Sequence, residues 1–175
     1  MRRVEVTPYN EKWVQVYAKE AQALRYVFEA CLVNIHHIGS TAVHGLHAKP
    51  IIDIMPVVWD ISLVDKCTEP MRDIGYDPKG ENGIPGRRYF QKGGDDRTHH
   101  VHVFQVGSSY IRRHLAFRDY LRTHPNAARH YGDLKLRLAG EFPYDIESYI
   151  HGKESLVKDI EQRALQWYIS GADFR

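Results

Sequence analysis

The 175-residue sequence has few cysteines, little net charge and no long apolar run. Its two cysteines, Cys31 and Cys67, form no CxxC pair, which excludes a disulfide framework and a cysteine-based zinc motif. The formal net charge of +2 does not indicate a nucleic-acid-binding surface. No stretch approaches the roughly 18 apolar residues of a membrane span, and the N-terminal residues lack a signal-peptide pattern. We therefore expect a cytoplasmic protein with reduced thiols, and we disfavour membranes and nucleic acid as partners.

The length and the hydrophobic fraction of 43% are typical of a single globular domain over residues 1–175. Helical spacing of apolar residues predicts a first helix over about residues 11–30 and a helical C-terminal third. A short strand at Arg3–Val6 and a helix capped by Asn126 are also predicted. The main predicted strands are Leu32–Ile38, Ile51–Val58, Arg87–Lys92 and Thr98–Val106. The expected fold class is α/β (α+β), with flanking helices on a mixed β-sheet.

One stretch, residues 35–58, combines a Gly-Ser turn with an acid inside an apolar strand. The turn Gly39-Ser40-Thr41 offers backbone N–H groups and a hydroxyl, which suit a phosphate. Its alternative interpretation is an ordinary helix N-cap after a strand. Asp53 is costly in its apolar strand unless it is paired or binds a cation. It is predicted to be a metal ligand or general base, or else to form an ion pair with Lys49, an arginine or a histidine.

The sequence THHVHVFQV predicts a strand whose alternation places His100 and His102 on one face. Together with Asp53 they can form a metal site of two histidines and one carboxylate. Such a site suits Zn²⁺, Fe²⁺ or Mn²⁺ better than Mg²⁺. The alternative is a pair of hydrogen-bonded histidines that line a pocket or bind phosphate directly. His37 is a weaker candidate for the same pocket.

Several basic side chains are candidates for an anionic ligand. Arg87 and Arg88 follow a Gly-rich loop, and only one of two successive strand residues can face a pocket. Each basic residue taken alone is more often a solvated or ion-paired side chain, but their number favours an anionic ligand. The set predicted to bind phosphate or nucleotide is Gly39, Ser40, Thr41, Lys49, Arg87, Arg88, Arg118 and Lys135.

Four motifs in one order are shared with a known family: HIGSTAVHGLHAKPIIDI, GIPGRRYFQKG, RTHHVHV and HLAFRDYLRTHP. Nearly the whole chain resembles the GrpB-like protein family. This resemblance implies a nucleotidyltransferase-like sheet, in which Gly39 and Ser40 match the phosphate-contacting turn and Asp53 matches a metal-binding acid. The superfamily pattern has a second acid two residues after the first, and here that residue is Met55. Methionine cannot supply the hard oxygen ligand that Mg²⁺ prefers.

These observations support three functional hypotheses. The leading one is a nucleotidyltransferase-like protein that binds a nucleotide or another phosphorylated small molecule, with or without a divalent metal. The expected metal is Mg²⁺ or Mn²⁺, or Zn²⁺ or Fe²⁺ if His100 and His102 are metal ligands. As a metal-dependent nucleotidyltransferase it would use Asp53 and Ser40 as catalytic residues. The second is a non-catalytic nucleotide-binding or regulatory domain, which Met55 favours. The third is a metal-dependent hydrolase that uses the two histidines and Asp53.

Overall fold

The computed structural model describes residues 2–171 and confirms the mixed α/β class. The helices α1 to α5 are Lys12–Val27, Thr68–Asp73, Ser109–Thr123, Pro125–Glu141 and Ile146–Gly171. The strands β1 to β5 are Leu32–Ile38, Ile52–Val58, Tyr76–Pro78, Arg88–Lys92 and His99–Gln105. Short 3-10 segments cover Ser40–Ala42 and Ile61–Cys67. Across the described chain, every helix is too short or too polar to traverse a lipid bilayer.

The chain divides into two compact units. The sheet unit comprises Glu11–Ile38 and Ile51–Ile111, and it contains α1, α2 and the five strands. The helical unit comprises Met1–Asn10, Gly39–Pro50 and Arg112–Arg175, and it contains α4, α5 and most of α3. The single domain expected from length stays a prediction.

The sheet has the strand order β1-β2-β5-β4-β3. Strands β2 and β5 are parallel, and the other neighbouring pairs are antiparallel. β4 and β5 form the hairpin that their alternation predicts. The parallel pair positions the candidate site, because its register sets Asp53 beside His100. Strand alternation then brings His102 to the same face.

Helix α1 packs against the opposite face of the sheet. The ring of Phe28, which follows the helix, lies 6.5 Å from the ring of Phe90 on β4. Tyr17 of α1 stacks on His37 with ring centroids 4.6 Å apart. The prediction that His37 shares a pocket with Asp53 is therefore wrong. Its side chain points to the α1 face because it pairs in register with Ile54 rather than with Asp53.

Glu20 connects α1 to the far strands of the sheet. Its Oε1 accepts hydrogen bonds from the Tyr76 hydroxyl and from Lys92 Nζ, both over 2.8 Å. Burial raises the pKa of the Glu20 carboxyl, but these donors and the nearby His99 outweigh that effect, and the pKa lies below its usual value. The ionised carboxylate thus joins the helix to β3 and β4.

Apolar packing organises the helical unit. A larger cluster of buried side chains comprises Val43, Leu46, Ala116, Tyr120, Leu121, Tyr131, Ile160 and Ala164. A smaller one comprises Val4, Leu138 and Tyr149. Gly152 of α5 lets Leu138 of α4 approach closely, because a Cβ at this glycine would lie 2.6 Å from the leucine side chain. Helices α4 and α5 can therefore pack closely at this point, because Gly152 has no side chain to collide with Leu138.

Two local predictions are wrong. The segment Arg3–Val6 forms no strand, because the Val4 amide donates to the Pro143 carbonyl over 2.7 Å instead of joining the sheet. Helix α4 begins at Pro125 and not after an Asn126 cap. Proline is favoured at the first helical position since its fixed φ suits the helix and its missing N–H leaves no unpaired donor there.

Candidate functional site

Asp53, His100 and His102 meet on one face of the sheet. His102 Nε2 lies 3.0 Å and His100 Nδ1 lies 3.4 Å from Asp53 Oδ1. One ligand atom from each residue lies within 4.8 Å of the other two. Burial raises the pKa of the Asp53 carboxyl, but hydrogen bonds from the two histidines outweigh it, so the pKa lies well below its usual value. Asp53 is therefore an ionised acceptor at neutral pH. We call these three residues the Asp–His cluster.

An arginine contacts the outer ring nitrogen of each histidine. Arg87 Nη1 lies 3.3 Å from His102 Nδ1, and Arg97 Nη1 lies 3.2 Å from His100 Nε2. Arg87 belongs to the predicted set, but sequence reasoning missed Arg97. Arg97 lies in the turn GGDDR, and no periodicity there indicates where its side chain points.

Arg87 is held firmly in this position. Its Nε donates to the Glu81 carbonyl over 3.1 Å, and its Nη2 donates to the Asn82 carbonyl over 2.9 Å. Its guanidinium carbon also lies 4.5 Å from the centroid of the Tyr89 ring. Burial lowers the pKa of the guanidinium, although arginine stays charged at neutral pH. Three groups therefore fix the direction in which Arg87 donates to His102.

Two other arginines of the predicted set are bound to neighbouring acids. Arg88 makes a two-pronged ion pair with Asp65, with distances of 2.7 Å from Nε to Oδ1 and 3.2 Å from Nη2 to Oδ2. In the helical unit, Arg118 Nε lies 2.8 Å from Asp119 Oδ1. Of the two successive arginines, Arg87 contacts the Asp–His cluster and Arg88 contacts Asp65. The ion pairs argue against phosphate binding by Arg88 and Arg118.

A second group of candidates meets in the helical unit around Lys135. Only 2% of this α4 residue is exposed, and its Nζ donates to Ser40 Oγ over 2.8 Å. The Nζ also lies 4.3 Å from the centroid of the Tyr131 ring. Within residues 2–171, no carboxylate lies within ion-pair distance of Lys135. The buried ammonium group is thus satisfied by a hydroxyl and an aromatic face rather than by an acid.

Two further lysines lie close to Lys135. Lys49 Nζ and Lys153 Nζ lie 4.5 Å and 5.2 Å from the centroid of the same ring, that of Tyr149. Burial lowers the pKa of Lys135 well below its usual value, and the positive charges of Lys153 and Lys49 add to the shift. We call Ser40, Lys49, Lys135 and Lys153 the lysine cluster. Lys153 was missed from sequence, although it interrupts the apolar stripe of α5 much as Lys135 interrupts that of α4.

The turn that carries Ser40 has a backbone that requires glycine. Gly39 has φ 73° and ψ −171°, a region that residues with a Cβ rarely adopt. The following segment, Ser40–Ala42, is a 3-10 turn in which Thr41 is buried. Arg122 Nε donates to the Ala42 carbonyl over 2.9 Å and fixes the end of this turn. The predicted phosphate turn is therefore a rigid segment with the Ser40 hydroxyl directed at α4.

Residues 3–163 match the family model described as GrpB protein. The chain belongs to the GrpB family. It is 51% identical over 166 residues to the UPF0157 protein YqkA of Bacillus subtilis, an alignment that covers 95% of this chain and 48% of that protein. The chain thus spans about half the length of this relative.

Solved structures confirm the fold of this GrpB-family chain. It superposes on the crystal structure of the conserved protein GrpB from Enterococcus faecalis with a TM-score of 0.92 and 44% identity, covering 95% of this chain and 100% of that one. It also resembles a structure of the Cid1 poly(U) polymerase titled as MgGTP bound, with a TM-score of 0.51, 11% identity and coverage of 76% and 43%. At such low identity this likeness shows the nucleotidyltransferase-like fold alone.

The Asp–His cluster matches only part of what a metal ion requires. Mg²⁺ prefers oxygen ligands, and Met55, two residues after Asp53, is fully buried and offers none. The number of donors does match a transition-metal site of two histidines and one carboxylate. However, a metal-binding histidine normally donates its other N–H to an acceptor, whereas here those nitrogens face Arg87 and Arg97. The three ligating residues therefore fit a transition-metal ion, but the contacts of the outer ring nitrogens with Arg87 and Arg97 do not.

Proposed function

We propose that this GrpB-family protein binds a nucleotide or another phosphorylated small molecule, and that the lysine cluster receives a phosphate group. The observation that carries the proposal is Lys135, a buried ammonium group whose hydrogen-bond partner is the hydroxyl of Ser40. Lys49 and Lys153 add two further positive charges nearby. Three cations and a hydroxyl in one place are a favourable environment for a multiply charged anion.

The energetics of Lys135 favour an anion over an empty site. Removing an ammonium group from water costs several kcal/mol unless an opposite charge or good hydrogen bonds compensate for it. In the described residues Lys135 has no acidic partner, and its neighbours Lys49 and Lys153 repel it. A phosphate group would supply the missing negative charge and offset both repulsions. Phosphate binding therefore accounts for a lysine that is buried at this position despite the free-energy cost of its burial.

The direction of the hydrogen bond from Lys135 also suits an anion. The ammonium form of Lys135 can only donate, so Ser40 Oγ accepts and, among the described residues, keeps its own proton available. A hydroxyl proton and three lysine ammonium groups are all donors. Phosphate oxygens are acceptors, so the chemistry of the lysine cluster is complementary to phosphate.

The identity of the phosphorylated ligand is inferred from the fold. The Cid1 poly(U) polymerase, whose fold this chain resembles, has been solved with MgGTP bound. We extend a nucleotide ligand to this chain as part of the proposal. The lysine cluster needs no metal for phosphate binding. A divalent metal at the Asp–His cluster stays an untested prediction, which the contacts of both histidines with Arg87 and Arg97 oppose.

Met55 favours the non-catalytic version of this function. Two-metal nucleotidyl transfer needs several carboxylates to hold Mg²⁺, and the residue two positions after Asp53 is a fully buried methionine. A nucleotide-binding or regulatory role therefore accounts for the donor set better than two-metal transfer does. The metal-dependent hydrolase alternative would need unprotonated histidine nitrogens beside Asp53. The contacts with Arg87 and Arg97 oppose this, because they favour the ring proton on those inner nitrogens.

A thermal-shift screen in chelator-treated buffer tests phosphate binding. Inorganic phosphate, pyrophosphate and nucleoside mono- and triphosphates are compared on the wild type, Lys135→Met and Lys158→Met. Lys158 is the matched control, because it is an exposed lysine of α5 that pairs with Glu154. We expect a phosphorylated compound to raise the Tm of the wild type and of Lys158→Met but not that of Lys135→Met.

Two outcomes would refute the proposal. One is that millimolar phosphorylated compounds leave the Tm of the wild type unchanged. The other is that Lys135→Met responds as strongly as the wild type. Long incubation of a bound nucleotide with Mg²⁺, followed by chromatography, separates the catalytic and non-catalytic versions, since only the former yields a product.

A further inference from the structure

We infer that Asp53, His100 and His102 form a metal-free hydrogen-bonded cluster whose ring tautomers are set by Arg87 and Arg97, and that these arginines keep divalent transition metals out. The inference goes beyond phosphate binding, since it concerns the sheet unit alone and does not involve the lysine cluster. It gives Arg97 a role that sequence reasoning missed.

The tautomers follow from the donors around each ring. A guanidinium group has N–H donors and no acceptor. His102 Nδ1 and His100 Nε2, which contact Arg87 and Arg97, must therefore accept and carry no proton. A neutral imidazole has one N–H, which leaves the proton on His102 Nε2 and on His100 Nδ1.

Both remaining protons lie on the ring nitrogens that are nearest to the same carboxylate oxygen. His102 Nε2 and His100 Nδ1 lie 3.0 Å and 3.4 Å from Asp53 Oδ1. The contacts thus form two paths, Arg87–His102–Asp53 and Arg97–His100–Asp53. In each path donation runs from the arginine to the histidine and from the histidine to the aspartate. All the donors and acceptors along these two paths are matched, so the geometry is consistent with two neutral histidines and an ionised Asp53.

A metal ion would have to reverse this arrangement. It needs lone pairs on the nitrogens that now donate to Asp53, so each ring proton would move to the outer nitrogen. There the N–H would face the N–H of Arg87 or Arg97, and two donors repel each other. Metal-binding histidines have the opposite outer contact, donation to a carboxylate or a carbonyl.

Each arginine has further contacts that hold it against the reversed tautomer, and those of Arg87 are the more numerous. Arg87 is bound to two backbone carbonyls and stacked on Tyr89. Arg97 Nε donates to the Gly94 carbonyl over 3.1 Å. In the part of the chain that the structure describes, Asp53 Oδ2 accepts no hydrogen bond. The Asp–His cluster thus presents an oriented anionic acceptor for a ligand O–H or N–H, rather than a coordination site.

Nuclear magnetic resonance can read the tautomers directly. Long-range ¹H–¹⁵N correlation spectra of the imidazole rings distinguish a protonated Nδ1 from a protonated Nε2, and His100→Gln and His102→Gln spectra assign the signals. We expect the Nδ1–H form for His100 and the Nε2–H form for His102. The reverse tautomer at either ring in the metal-free protein would overturn the inference.

Cobalt titration tests whether the arginines exclude metal. Co²⁺ binding is followed by visible absorption and calorimetry in the wild type, Arg97→Glu and Arg97→Lys. Glutamate can accept the outer N–H of His100 and so permits the metal-binding tautomer, whereas lysine retains a donor. We expect Arg97→Glu to bind Co²⁺ about ten-fold or more tightly than the wild type, as outer-contact changes do in metal sites, and Arg97→Lys to match the wild type.

Two controls tie the gain to the cluster. Arg25→Glu makes the same change in net charge on exposed α1, and we expect no gain in Co²⁺ affinity from it. Adding His100→Ala to Arg97→Glu should remove the gain. The inference fails if Arg97→Glu gives no gain, if Arg97→Lys gains equally, or if the wild type binds one Co²⁺ per chain through His100.

Discussion

Lys135 donates a hydrogen bond over 2.8 Å to the hydroxyl of Ser40, a residue 95 positions earlier in the sequence. This contact connects the glycine-led turn to α4 and buries an ammonium group beside two other lysines. It leaves the Ser40 proton free for a ligand. The contact makes the lysine cluster the proposed phosphate site.

Phosphate affinity should fall as the pH rises. Burial and the nearby lysines lower the pKa of Lys135 in the free protein, whereas a bound phosphate raises it. Below the lowered pKa, Lys135 is already charged and binding takes up no proton. Above it, binding must take up a proton and therefore weakens with increasing pH.

Calorimetry with inorganic phosphate over about pH 8 to 10 measures this effect, because phosphate is then dianionic throughout. Buffers with different ionisation enthalpies report the proton uptake. An affinity that stays constant over this range, with no proton uptake, would contradict the assignment of Lys135 as the phosphate ligand.

Lys135→Met should leave the free energy of unfolding unchanged or raise it by about 1 kcal/mol, because it removes a buried charge and keeps a similar volume. The unfolded chain holds the Lys135 proton more tightly than the folded one, so acidification costs the wild type stability that the variant does not lose. Urea unfolding at two pH values measures both effects. A loss of more than about 2 kcal/mol would show that Lys135 is mainly structural.

Gly39→Ala should cost about 1–3 kcal/mol, because its backbone conformation is unfavourable for any residue with a Cβ. The control is Gly140→Ala in α4, where a Cβ would meet no atom within 4 Å. That change should raise stability by up to about 1 kcal/mol, since alanine is the better helix former. Chemical denaturation compares the two variants. Equal stability of Gly39→Ala and the wild type would show that the backbone conformation at residue 39 does not require glycine.

Tyr76→Phe should destabilise the sheet unit by about 1–2 kcal/mol, because it removes a buried hydrogen bond to the ionised Glu20. Tyr144→Phe is the control, since that side chain is exposed, and it should change stability by less than about 0.5 kcal/mol. Thermal unfolding of both variants gives the comparison. Equal effects would show that the Glu20 contact contributes nothing specific.

Local patterns predicted β1, β2, β4 and β5 and part of each cluster. Alternation in THHVHVFQV is sufficient to place His100 and His102 on one face, and an interrupted apolar stripe is sufficient to single out Lys135. The pairing of β2 with β5 was not predictable in the same way. Parallel partners depend on the whole sheet, and only this register brings Asp53 to the histidines.

The remaining site residues depend on contacts that no local pattern encodes. Arg97 contacts His100 from the turn that connects β4 to β5. Arg88 forms an ion pair with Asp65, which lies 23 positions away in the sequence. Lys153 carries the same signal as Lys135, a lysine in an apolar stripe, and could have been chosen on that ground. His37 was misassigned because alternation within β1 does not fix the register with β2, and that register sets His37 opposite Ile54 and not Asp53.

The most direct test of phosphate binding at the lysine cluster is a calorimetric titration of pyrophosphate into the metal-free wild type, Lys135→Met, Lys153→Met and Lys158→Met. The account predicts one site per chain, retained in Lys158→Met and weakened about ten-fold or more in the other two variants, since each loses a charged contact worth about 1.5–3 kcal/mol. Equal affinity in all four proteins, or no binding to the wild type, would contradict it.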